Sequence, residues 1–148
     1  MPDRRTNYPV FQAHLSHEND NLNQRLFWYL FSQSLLFGAY AAALNSPEKA
    51  RSPIVAELQH VIVPLVPATA LLVSLLLYPM IVISVLHMSA LRRQFEALPG
   101  DVSDLPPIHG HATLRRIGDF GYLSIPLVLT GAWVLLLATL VLRSPIAG

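Results

Sequence analysis

The residues best suited to chemistry are six histidines: His14, His17, His60, His87, His109 and His111. On a helix, His14 and His17 would set two rings on neighbouring turns, and His109-Gly-His111 brings a second pair together. Imidazole pairs suit zinc, copper, iron or nickel. Neither pair comes with a well-placed carboxylate, and the chain has no cysteine. The missing thiols remove disulfides, iron–sulfur clusters, cysteine-ligated zinc and thiol nucleophiles together. A b-type haem would need histidines facing each other from two apolar segments. His60 and His87 sit at opposite ends of one such segment, and no other segment carries one. The expectation is therefore no metal and no cofactor.

A second candidate is "RRQFEALPGDVSDLPPIHGHATLRR", which holds Glu96, Asp101, Asp104 and Ser103 between two Arg-Arg pairs. A hydrolase needs paired carboxylates or a nucleophile beside a base, and no known catalytic spacing occurs here. The stretch reads as a solvated loop. Arg92, Arg93, Arg115 and Arg116 are better placed to contact anionic lipid headgroups. The chain is expected not to be an enzyme.

The elements that position these residues are unusually apolar. Hydrophobic residues make up 53% of the 148 and charged residues 13%, about half the charge density of a soluble domain. The apolar residues fall in three blocks, Arg25 or Leu26 to Leu44, Val61 to Leu91 and Gly121 to Leu142. Each can cross a hydrocarbon core of about 30 Å. The expected fold class is an all-α integral membrane protein with three transmembrane helices, an N-terminal cytoplasmic helix and a cytoplasmic loop between spans 2 and 3. As one membrane domain it divides into an arm and helix (1–24), span 1 (25–44), an outer loop (45–58), span 2 (59–91), an inner loop (92–120), span 3 (121–142) and an outer tail (143–148). The first block is read as a retained span and not a cleaved leader. It has full spanning length, and the stretch before it carries Asp3, Glu18 and Asp20.

Three spans put the termini on opposite sides. Seven arginines (Arg4, Arg5, Arg25, Arg92, Arg93, Arg115, Arg116) fall on one side, and Lys49, Arg51 and Arg143 on the other. Cytoplasmic loops carry the excess, so the N-terminus is expected inside and the C-terminus outside. A net charge of +1 gives no basic field for nucleic acid.

Local signals refine the elements. Residues 1–9, with two prolines, read as an irregular arm, and 10–24 as a helix leading into span 1. There Asn21 and Arg25, like Glu18 and Leu22, would be one turn apart. Asn45-Ser-Pro reads as a turn and "SPIVAELQH" as a short amphipathic piece at the interface. Span 2 would measure about 50 Å as continuous helix. Bends are expected at Pro64, Pro67 and Pro79. The helix is expected to continue through "SALRRQFEAL", with Arg92 and Glu96 one turn apart, and to stop at Pro99-Gly100. Trp28 and Tyr29 suit an interfacial aromatic belt.

Gln33, flanked by Ser32 and Ser34, is the most polar point within any span. Its amide should face another helix, where such bonds contribute about 0.6 to 2 kcal/mol. Gly38, Ala39, Ala42 and Ala43 form two small-xxx-small pairs, 38/42 and 39/43. Small residues let helix backbones approach closely. Span 1 is thus expected to supply a helix–helix interface at Gln33, Gly38, Ala39, Ala42 and Ala43. The partner is either another span of the same chain or a second protomer, and a protomer contact around both features is the sharper expectation.

The pattern Glu18…Asn23-x-Arg25-x-x-Trp28-x(4)-Gln33-x-x-Leu36-Phe37, with "LPPIHG", Gly118 and the Ile125–Trp133 stretch, resembles small three-span bacterial inner-membrane proteins of unassigned function. The resemblance implies a bacterial cytoplasmic membrane and carries no site residues. The spans hold no ionisable relay of the kind ion-coupled transporters need at depth. Three spans also enclose no aqueous path alone. The reading is a non-catalytic homo-oligomer, channel-like or membrane-perturbing. The alternatives are an accessory subunit of a larger respiratory or photosynthetic membrane complex and, third, a lipid-directed enzyme.

Overall fold

The computed structural model describes residues 4–45, 53–100 and 112–143; of these, the side chains of 55–56, 112–117 and 143 are not described. The described residues form three helices, α1 (Arg4–Leu44), α2 (Pro53–Glu96) and α3 (Ala112–Arg143). Each contains a stretch long and apolar enough to cross a membrane.

Every helix keeps one inward face, built on steps of three and four residues. On α1 the face is Tyr8, Phe11, Leu15, Glu18, Leu22, Arg25, Tyr29, Gln33, Leu36 and Tyr40, all buried or half-buried. On α2 it runs through Pro67, Ala70, Ser74, Ile81, Ser84, Met88 and Phe95, and on α3 through Tyr122, Pro126 and Trp133. Alternating such steps average 3.5 residues, which within each compact unit holds a seam against a neighbouring helix over several turns. The seam is partly polar, whereas the outer faces carry exposed Leu75, Leu76, Val128 and Leu142. That is the reverse of a water-soluble helical protein, where a polar face looks outward.

Contacts group the chain into two compact units, Met1–Phe27 with Pro79–Ser124, and Trp28–Tyr78 with Ile125–Gly148. In the first unit α1 starts earlier than its sequence implies. Residues 4–9, expected to be irregular, are helical, and Pro9 lies inside the helix. The cause is tertiary. The Arg4 amide donates to the Pro99 carbonyl at 2.8 Å, and its guanidinium donates to the Glu96 carbonyl. The first turn of one helix and the last turn of another thus satisfy each other's leftover backbone groups. Phe95 anchors the junction. It is 5% exposed, with Tyr8 and Phe11 rings at 6.2 and 5.4 Å and the Arg4 guanidinium 5.7 Å from its centroid. α2 ends at Glu96, and the turn that follows runs into Pro99-Gly100, where the stop was expected. The Ala97 and Leu98 amides donate to Arg93 and Phe95 carbonyls, and Gly100 turns the chain at φ 116°, where a Cβ would be strained.

In the second unit the piece 53–60, expected to lie at the interface as a separate element, forms the first turns of α2. Pro53 opens the helix, a position where its missing amide costs nothing. The helix passes through Pro64, Pro67 and Pro79 without ending. Gln59 reaches back to α1, donating from Nε2 to the Ala43 carbonyl at 2.6 Å, and so caps a helix end.

Candidate functional site

Two features of α1 could carry function, and they face in different directions. The first is a buried polar cluster. Gln33 is 1% exposed. Its Nε2 lies 3.4 Å from the Ala70 carbonyl and 3.5 Å from Ser74 Oγ, and its Oε1 accepts from Trp133 Nε1 at 2.6 Å. One turn earlier, Tyr29 Oη lies 3.0 Å from Ser74 Oγ and donates to the Pro126 carbonyl at 3.1 Å. Ser74 donates to the Ala70 carbonyl at 2.9 Å and Thr130 to the Pro126 carbonyl at 2.7 Å. Amide, phenol, hydroxyls and indole thereby join α1, α2 and α3 with no formal charge.

An aromatic layer packs beside this cluster. The Trp133 ring, fully buried, stacks on Phe37 at 4.1 Å and meets Tyr40 edge-on at 5.9 Å. Such pairs contribute about 0.5 to 1.5 kcal/mol beyond burial. Gln33 therefore finds its partners within its own chain, on two other helices. Tyr29, expected in an interfacial aromatic belt, is buried, while its neighbour Trp28 is exposed and lies against Phe31. The signal for Tyr29 was its place one turn before Gln33 on the inward seam.

The second feature is the small-residue face. Gly38, Ala39 and Ala42 are exposed and Ala43 is half-buried. A Cβ built on Gly38 would meet nothing within 4 Å. Phe31 and Leu35 extend this outward face, 47% and 60% exposed. The structure thus separates two features that the sequence reading joined in one contact.

The charged candidates lie in the first unit. Glu18 Oε1 is 3.6 Å from His87 Nδ1, and Arg25 donates to Ser84 Oγ and, at 3.3 Å, to the Met80 carbonyl. Tyr122 donates to Asn23 at 2.8 Å. Arg92 lies 3.8 Å from Asp119, with a side chain 18% exposed. Arg93 is exposed. Arg115 and Arg116 fall on α3, their side chains outside the described residues, as are His109, His111, Asp101, Ser103 and Asp104. His14 and His17 line a shallow groove with Pro9, Val10 and Ala13. Among the described residues no three of His, Cys, Asp and Glu come together as a metal site would need.

These observations define an all-helical protein with three helices that could span a membrane. No family model, curated protein or solved structure matches the chain.

Proposed function

We propose that the chain is a non-catalytic integral membrane protein that acts as a homo-oligomer, with helix α1 at the contact between protomers. The observation that carries this reading is the outward Gly38–Ala39–Ala42 face. In lipid, apolar surface gains nothing by leaving the solvent. A flat small-residue face stabilises association because it lets another backbone come close. The interior of the second unit is filled by Trp133, Tyr29 and Gln33, so a conducting path, in a channel-like assembly, would run between protomers. The arginine asymmetry supports a cytoplasmic N-terminus and an external C-terminus. Arg93, Arg115 and Arg116 would then meet anionic headgroups, and the resemblance noted above supports a bacterial inner membrane.

The test is Gly38→Leu, compared with Leu135→Ala on the exposed face of α3. Open space around Gly38 means that the larger side chain leaves the single chain's packing intact. Native mass in detergent should give one discrete multimer for the parent and the control, and smaller species for Gly38→Leu. A parent that runs as a monomer and co-purifies with other chains would replace this reading with the accessory-subunit one. A Gly38→Leu protein of parental size would move the contact to another face.

A further inference from the structure

Beyond association, the second unit contains a groove between α2 and α3, whereas the Gly38 face lies on α1. Its volume is about 480 Å³, and small-molecule sites run from about 300 to 1,000 Å³. Leu72, Leu75 and Leu127, all exposed, give it an apolar rim. Ser74 and Thr130 line its polar part. Both hydroxyls already donate within the chain, to the Ala70 and Pro126 carbonyls. Tyr78 also lines the groove and is half-buried. Its phenol has no hydrogen-bond partner among the described residues, and it is not sealed from the outside. Among the described lining residues, Tyr78 thus holds the uncommitted donor. On the membrane reading it stands near the middle of the apolar block Val61 to Leu91. Water is absent at that depth, and the polar parts of phospholipids stay at the interface. A phenol left without an acceptor there costs free energy, so a ligand that brings one is favoured.

We propose that this groove binds a lipid-soluble quinone, with a ring carbonyl accepting from the Tyr78 hydroxyl. The described lining carries no charge, so the occupant is neutral. It brings an acceptor, because Tyr78 supplies a donor. It is flat and apolar elsewhere, because the tyrosine offers an aromatic face for stacking and the rim is leucine. A quinone meets all three demands. Its ring carries carbonyls and no hydroxyl to desolvate, and its hydrocarbon tail leaves over the leucine rim into lipid. The proposal rests on the membrane reading and not on the oligomer, since the described lining belongs to one chain.

The test uses full-length protein in phosphatidylcholine nanodiscs, titrated with a benzoquinone that carries a decyl tail. Trp28→Phe in every sample leaves Trp133 as the only tryptophan. Trp133 bonds Gln33, and Gln33 contacts Ser74 on the groove wall, so a quinone seated there quenches Trp133 emission at short range. Quenching should saturate above the linear background of quinone dissolved in the bilayer. Tyr78→Phe breaks no described bond within the chain and should weaken binding about fivefold, the loss of one hydrogen bond. Leu127→Phe fills the groove from an exposed position and should remove the saturable part. Leu135→Phe, exposed but outside the groove, should leave the affinity unchanged. Quenching that never saturates would overturn the proposal, as would equal losses for Leu127→Phe and Leu135→Phe. Parental affinity in Tyr78→Phe would overturn it too, and would leave a groove for apolar chains alone. Protein that does not enter nanodiscs would overturn the membrane reading and this proposal together, whereas the other failures leave that reading standing.

Discussion

The two compact units use different chemistry to hold segments of the same three helices. The unit of Met1–Phe27 and Pro79–Ser124 joins helices with ions and aromatic packing. Glu18 faces His87, Arg92 faces Asp119, Arg4 caps α2, and Phe95 lies among Tyr8 and Phe11. In the unit of Trp28–Tyr78 and Ile125–Gly148 the side-chain bonds between helices, among the described residues, join neutral groups: Tyr29, Gln33, Ser74, Thr130 and Trp133. The contrast matches the solvents of the proposed topology. Near water an ion pair is affordable but worth little, because its charges are solvated anyway. In hydrocarbon an isolated charge is expensive, while a neutral amide with partners on both sides costs far less.

The comparison predicts that the two units respond to different substitutions. Phe95→Ala should have the largest effect, about 3 kcal/mol, the lower end for truncating a buried phenylalanine in a water-facing core. Hydrogen exchange should show the loss at residues 4–15 and 88–98. Equal loss of protection at residues 29–44 would merge the two units into one cooperative block. Next comes Gln33→Leu, at about 1 kcal/mol in a denaturant titration in micelles, within the range for interhelical bonds in membranes. It acts on the chain's own fold, since Trp133 Nε1 and Ser74 Oγ are its partners. A change in oligomer size without a change in unfolding would place Gln33 between protomers after all. The smallest effect belongs to Glu18→Gln, at most about 0.5 kcal/mol, because His87 is 54% exposed and the pair is screened. A loss comparable with that of Phe95→Ala would show that ions, not packing, hold the first unit.

Particular residues show what could be read along the chain. The three apolar segments, the stop at Pro99-Gly100 and the need of Gln33 for an interhelical partner all follow from local composition, backbone chemistry and the poor solvation of an amide in hydrocarbon. The polar half of α1 was harder. Its inward positions at Tyr8, Phe11, Leu15, Glu18 and Leu22 keep the three–four spacing, but Glu18 and the surrounding Asn and Gln residues hide it from a count of apolar residues. Pro9 argued for an irregular arm, and the contact of Arg4 with Pro99, ninety-five positions later, overrode it.

The sequence by itself determined that the chain is helical and apolar in three long stretches, with its charges confined to the segments outside them, because hydrophobic length and backbone hydrogen bonding are properties of each segment alone. It also determined which residues need partners: a glutamine within an apolar run, and a small-residue face with nothing to fill it. Only the tertiary structure decided who those partners are. It gave Gln33 to Trp133, Ala70 and Ser74, left Gly38 facing outward, drew Tyr29 inward, and set Arg92 beside Asp119. The reason is rotational. Residues one turn apart share a face and residues half a turn apart do not, and which face looks inward depends on helices distant in the chain.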